Sequence, residues 1–269
     1  MPAHAAVYPD PPKLSHSLAE LGRIFWEAGS SMALRPLSRF LPRGDGHAVM
    51  TLPGFMGADG SMASIRKFLN KQGYTGVPWG LGRNVPDDGV RDMETMLNFR
   101  RQIEEALAQK LHRQKIRTGG KVSLVGWSLG GLYATALAHK YPDLVRQVVT
   151  LGTPYGDPRG TSLYGPMQRA FNTPVDTKML DEWINYTFEG DLQVPITALY
   201  SRSDGFVGEG IARLPEHALM ENIAVMASHV GFPFNPLVRV LLAERLAQPE
   251  GQWQPYQKLT LKPFLYLPG

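Results

Sequence analysis

A serine between two glycines, a later aspartate and a last histidine are the residues here whose types and order could do covalent chemistry. The serine is Ser128, in Gly126-Trp127-Ser128-Leu129-Gly130. A hydroxyl is a weak nucleophile, so it needs a base, and the base needs a carboxylate to orient it. The G-x-S-x-G pattern recurs by chance, and context decides its weight. Here an apolar run, Lys121-Val-Ser-Leu-Val125, precedes it, and a helical pattern from Gly130 to His139 follows. A tight strand-to-helix turn holds such a serine exposed, with glycines where side chains would collide. The helix start then offers free N–H groups to developing negative charge.

The acid and then the histidine should follow along the chain, each just past a strand. Asp204 lies in Ser201-Arg-Ser-Asp204-Gly205, after the strand expected at Pro195 to Tyr200. Open α/β sheets bind ligands at that carboxyl edge. Asp191 precedes this strand and Asp181 lies farther back, so both are weaker choices. His229 follows the strand expected at Asn222 to Met226, whereas His217 precedes it. His4, His16, His47, His112 and His139 show no partner pattern and read as structural. Acyl transfer also needs donors for an oxyanion. The backbone N–H of Leu129 is one. The second is expected from Leu52-Pro53-Gly54-Phe55-Met56-Gly57, with Phe55 first and Met56 next. Met56 and Trp127, with Phe55, Met62 and Trp79, are candidates for an apolar pocket.

The elements that must position these groups alternate. Strands are expected at 47–52, 74–79, 121–125, 145–151, 195–200 and 222–226, and helices at 60–71, 91–114, 130–139 and 236–247. That alternation predicts an α/β fold with a mostly parallel central sheet and helices on both faces. Residues 1–13, rich in proline, read as a disordered leader. Residues 14–46 read as an amphipathic helix and linker, and 47–269 as one α/β domain. The stretch 155–190 reads as a small helical cap insertion, with Tyr164, Met167, Phe171, Met179 and Trp183 toward the site. The tail 248–269 reads as extended. On the first helix, Leu14, Leu18, Leu21, Phe25, Ala28 and Met32 share one face; His16, Glu20, Arg23, Glu27 and Ser31 share the other. The apolar face is expected to be buried, either on the body or beside the site mouth.

Composition removes other chemistries. The 269 residues contain no cysteine, which excludes a thiol nucleophile, thiolate zinc and disulfides. No P-loop, G-x-G-x-x-G or H-E-x-x-H is present, so no cofactor and no metal is expected. A net charge of +4 without a basic cluster gives no nucleic-acid footprint. No apolar run approaches a membrane span and the N-terminus lacks a signal pattern, so a cytoplasmic protein without stable membrane anchoring is expected. Oligomeric state is left open.

Taken together, Leu52-Pro-Gly-Phe55, Gly126-Trp-Ser128-Leu-Gly130-Gly131, Gly152-Thr153-Pro154, Ser203-Asp204-Gly205 and Ser228-His229-Val230-Gly231 resemble the α/β-hydrolase superfamily, on its lipase and carboxylesterase side. Pro53 stands where many bacterial lipases have a histidine. The resemblance implies a small-molecule or lipid ester substrate, an acyl-serine intermediate and no organic cofactor. An acyltransferase on the same site, or a hydrolase-fold binding protein without turnover, remains as an alternative.

Overall fold

The computed structural model describes residues 10–33, 35–171 and 176–257. The expected leader and the end of the expected tail fall largely outside them. So do the side chains of Leu14, Leu21, Ala28, Met32, Met167 and Phe171.

Six strands form one parallel sheet: β1 (Ala48–Leu52), β2 (Thr75–Pro78), β3 (Val122–Trp127), β4 (Val145–Leu151), β5 (Ile196–Tyr200) and β6 (Met220–Ala224), in the order β2-β1-β3-β4-β5-β6. β1 and β5 are buried along their whole length, as apolar strands covered on both faces must be. One face packs on α3 (Met93–Thr118), α4 (Leu129–Lys140) and α6 (Thr177–Thr187); the other packs on α2 (Ala63–Gln72) and α7 (Pro236–Leu246). α4 is apolar nearly all round because it is walled in by β3, β4, α3 and α6. Asp92 caps the start of α3, and Gly119, left-handed at φ 73°, ends it.

The last strand differs from the expectation, running Met220–Ala224 rather than 222–226. It is an edge strand and only partly buried, so hydrophobicity does not mark its start. Glu221 instead points its carboxylate at Arg245 and at the hydroxyl of Thr197. The insertion contains α5 (Tyr164–Phe171) and α6, and α6 is anchored by a buried cation. Arg100 on α3 is fully buried; it pairs with Glu104 and donates to the Trp183 carbonyl and the Thr187 hydroxyl. Trp183 therefore belongs to the core, and so do the fully buried Met62 and Trp79, not to a pocket.

The first helix, α1 (Leu14–Ala33), reverses the expectation about its faces. Leu18, Phe25 and Trp26 are 74%, 79% and 69% exposed, whereas Glu20 and Glu27 are each only 3% exposed. Among the described side chains the polar face is the one that packs, since its carboxylates accept backbone N–H groups of the loops after β5 and β6. No helix among the described residues is long and apolar enough to cross a membrane.

At the amino edge of the sheet, Asp45, His47 and Ser123 make a hydrogen-bonded series that uses the same residue types as the candidate site. His47 Nδ1 meets the Asp45 carboxylate, and Nε2 lies 2.8 Å from Ser123 Oγ. Ser123 is fully buried inside β3 and has no turn to present it. Burial pushes the His47 pKa down, with the Arg146 charge adding to it and Asp45 opposing. A histidine held neutral in the fold contributes stability that is full above its unfolded value, 6.5, and is lost as pH falls below it. The melting temperature should therefore fall between pH 7.5 and 5, and thermal melts of His47→Gln should show a shallower fall.

Candidate active site

Because every strand runs the same way, their carboxyl ends share one edge. Ser128 follows β3, Phe55 follows β1, Asp204 follows β5 and His229 follows β6. The sequence places these residues only one by one; the sheet gathers them.

Ser128 sits between β3 and α4 with φ 52° and ψ −121°, one of two non-glycine residues with positive φ among the described residues. Such strain costs about 1–3 kcal/mol and needs surrounding structure to hold it. The Ser128 N–H donates to the Leu151 carbonyl at 2.8 Å, and the Ser128 carbonyl accepts from Gly131 N–H at 2.9 Å and from Thr153 Oγ1 at 3.1 Å. A Cβ on Gly126 would stand 2.5 Å from the Gly130 carbonyl oxygen, and one on Gly131 would overlap Thr153. The turn is closed to side chains on both sides of the serine.

His229 Nε2 lies 3.0 Å from Ser128 Oγ, and His229 Nδ1 lies 2.7 Å from Asp204 Oδ2. The other oxygen of Asp204 accepts from the N–H groups of Phe206 and Val207 at 2.7 and 2.8 Å. This fixes the carboxylate's plane and leaves its second oxygen for the imidazole. Nδ1–H donating to Asp204 leaves Nε2 as the acceptor facing the serine hydroxyl. Asp191, Asp181 and His217 are exposed and take no part in this series. Aromatic rings enclose the imidazole, with Phe206 at 5.3 Å, Trp127 at 6.0 Å and Phe232 at 6.5 Å between centroids. Trp127 also donates its indole N–H to the His229 carbonyl at 3.0 Å, so it holds the histidine's backbone as well as facing its ring.

Of the N–H groups expected to receive an oxyanion, the structure shows which are free. Met56 N–H donates to the Asn84 carbonyl at 2.9 Å and is therefore occupied. Phe55 N–H has no acceptor among the described residues. Leu129, first residue of α4, has no intrahelical acceptor for its N–H. The Met56 side chain is 57% exposed. No hydrogen bond or ring contact joins Tyr164, partly buried at the start of α5, to Ser128 or His229. The Phe171 side chain lies outside the described residues.

Several residues around the site are not singled out by sequence motifs. Asn84 is buried; it donates Nδ2–H to the Pro53 carbonyl at 2.7 Å and accepts from the Tyr133 hydroxyl at 2.8 Å, bracing the loop that carries Phe55. Glu20 accepts from the N–H groups of Gly205, His229 and Val230 at 2.8, 2.9 and 3.2 Å. Glu27 accepts from Ser228 N–H at 2.7 Å, Ser228 Oγ at 2.6 Å and Asn235 Nδ2 at 3.2 Å. Burial raises the Glu27 pKa, against the hydrogen bonds from Ser228 and Asn235 and the charge of Arg23. The signal for α1 was the recurrence Glu20, Arg23, Glu27 on one face, a pattern equally typical of a solvated surface. No group of three or more His, Asp or Glu among the described residues could hold a metal ion.

The fold agrees with the comparisons. A family model described as alpha/beta hydrolase fold matches residues 52–205, more than half of the chain, and the chain belongs to that family. A human protein named serine hydrolase BPHL is 37% identical over 110 residues, covering 39% of this chain and 35% of that protein. Its mouse counterpart is 36% identical over 110 residues, with the same coverage. The match thus spans little more than a third of these relatives' length. Among solved structures, the mature Bacillus licheniformis lipase BlEst2 is similar at a TM-score of 0.55 and 20% identity, over 76% of this chain and 94% of that one. Aspergillus fumigatus lipase B is similar at a TM-score of 0.54 and 18% identity, over 77% of this chain and 54% of that one. At these identities the likeness is one of fold.

The two serine–histidine–aspartate series make opposite predictions for reactivity. A fluorophosphonate should label Ser128 and leave Ser123 unmodified, as read by peptide mass spectrometry, and Ser123→Ala should still be labelled at Ser128. Labelling at Ser123 would mean that hydrogen-bond geometry alone, without the turn, activates a serine here.

Proposed function

We propose that the protein hydrolyses carboxylic esters through an acyl-serine intermediate. The observation that carries this reading is the series Ser128 Oγ, His229 Nε2, His229 Nδ1 and Asp204 Oδ2, at 3.0 and 2.7 Å, on a serine held in a positive-φ turn. His229 takes the hydroxyl proton as Ser128 Oγ attacks the ester carbonyl carbon. The carbonyl electrons move onto oxygen, which the N–H groups of Phe55 and Leu129 receive. As the tetrahedral species collapses, the C–O bond to the alcohol breaks and His229 returns the proton to the leaving oxygen. Water then repeats the sequence, releasing the acid and restoring Ser128. Asp204 holds the imidazole's tautomer and stabilises its cation.

An apolar ester fits the surroundings best. Trp127 and Phe206 stand beside the imidazole, and Met56 is exposed on the donor loop. The names of the lipases and serine hydrolases that the chain resembles lend the same direction.

The test is a series of p-nitrophenyl esters from about two to sixteen carbons, with added alcohol acceptors to separate hydrolysis from acyl transfer. Ser128→Ala should lose turnover on the order of a million-fold while keeping its melting temperature. Asp204→Asn should lose roughly ten-thousand-fold, because the imidazole no longer holds the needed tautomer; Asp191→Asn should not. Near-wild-type turnover in Ser128→Ala would remove Ser128 from the mechanism, and ester exchange without net hydrolysis would make the protein an acyltransferase.

A further inference from the structure

The acid and the base arrive on separate loops, one after β5 and one after β6. Each loop is organised within itself. Asp204 Oδ1 accepts the N–H groups of Phe206 and Val207, and Ser228 Oγ accepts the Gly231 N–H at 3.1 Å. The catalytic distance, however, depends on how the two loops stand relative to each other. Apart from the Asp204–His229 bond itself, one atom spans them most directly. Glu20 Oε1 accepts the N–H of Gly205, the residue after the acid, at 2.8 Å, and that of His229 at 2.9 Å.

We propose that α1 belongs to the site, and that Glu20, backed by Glu27, is a positioning residue that sets the Asp204 loop against the His229 loop through their backbone N–H groups. The inference rests on the assignment of hydrolysis to Ser128, His229 and Asp204.

Three further observations support it. Glu20 Oε2 takes the next N–H along, from Val230, so the carboxylate grips three donors at once. Arg23, one turn on, donates to the carbonyl and hydroxyl of Ser203, and Ser17 Oγ donates to the Gly205 carbonyl at 2.6 Å, so the acid loop is held on both sides of Asp204. The loops are also cut away to seat the helix. A Cβ on Gly205 would stand 2.7 Å from Glu20 Cγ and 2.8 Å from both the His16 carbonyl oxygen and Ser17 Cα. One on Gly231 would overlap the Glu27 carboxylate. Neither glycine has a positive φ, so space and not backbone conformation excludes a side chain: space for α1 at Gly205, and for Glu27 together with Ser228 Oγ at Gly231. A buried carboxylate is costly unless charge-assisted hydrogen bonds compensate it. These two are compensated by the loops that carry the chemistry.

The experiment measures kcat and KM on a soluble short-chain p-nitrophenyl ester for Glu20→Ala, Glu20→Gln, Gly231→Ala and the exposed-face control Phe25→Ser, with Ser128→Ala alongside. A displacement of about 1 Å at reacting groups can cost roughly a hundredfold. Glu20→Ala, measured well below its melting temperature, should therefore lose on the order of a hundredfold in kcat with KM within about twofold. Glu20→Gln keeps one acceptor oxygen but turns an NH2 toward a backbone N–H, so its kcat should fall partway. Gly231→Ala, which displaces Glu27 and presses on Ser228 Oγ, should fall in the same sense, and Phe25→Ser should not.

Unchanged kcat in folded Glu20→Ala, with only a lowered melting temperature, would overturn the inference and leave α1 structural. A raised KM at constant kcat would overturn it too, by making the helix a binding element. Should Glu20→Ala not fold, wild-type kcat in Glu20→Gln would overturn the proposal and a reduced kcat at constant KM would uphold it. Turnover retained by Ser128→Ala would instead overturn the site assignment, a failure distinguishable from the others.

Discussion

Gly126, Gly130 and Gly131 leave no room for side chains, and this lack of room holds Ser128 in its turn. A Cβ on Gly130 would press on the backbone of Leu52 and Pro53, and one on Gly126 on the backbone of Gly130 and Gly131. Backbone cannot retreat as a flexible side chain can. Close approach therefore binds β1, β3 and the start of α4 into one rigid corner. The strain at Ser128 persists because β4 takes its N–H and Thr153 and Gly131 take its carbonyl. From that corner the loop that carries Phe55 is already placed, since a Cβ on Gly54 would stand 3.1 Å from Ser128 Cβ.

The opposite half of the site is organised by polarity rather than by packing. Asp204 and His229 stand on the loops that follow neighbouring parallel strands, and Gly152, left-handed at φ 57°, lies behind their contact; a Cβ there would stand 3.1 Å from Asp204 Oδ2 and 3.2 Å from His229 Nδ1. Loops of this kind expose backbone N–H groups that no strand partner takes. α1 brings two carboxylates to them. The same bargain explains the uncharged outer surface of the helix: with Glu20 and Glu27 committed inward, Leu18, Phe25 and Trp26 are left outward.

Much of the fold was legible because parallel strands are continuous apolar runs and helices between them end on recognisable residues. The six strands, α3 and α7 fall where pattern predicts, within a few residues. The edge strand β6 is displaced because a half-exposed edge obeys no strict pattern. The faces of α1 are reversed because periodicity reports that a helix has two faces, not which one a partner will cover. Hydrophobicity normally decides that, but three N–H groups converging on one carboxylate outweigh it here.

The chain order Ser128, Asp204, His229, each just beyond a strand, and the glycines around the serine are properties of the sequence alone, since the tight turn demands those residue types wherever it occurs. Tertiary structure decided the rest. It chose Phe55 over Met56 as the free donor, because Asn84 reaches in from another loop to take the Met56 N–H. It left the Asp45–His47–Ser123 series at the wrong edge of the sheet, with Ser123 buried where no turn presents it. It also turned Glu20 and Glu27 from surface charges into buried acceptors, since their partners are backbone groups about 180 to 210 positions away, whose positions exist only once the sheet has closed.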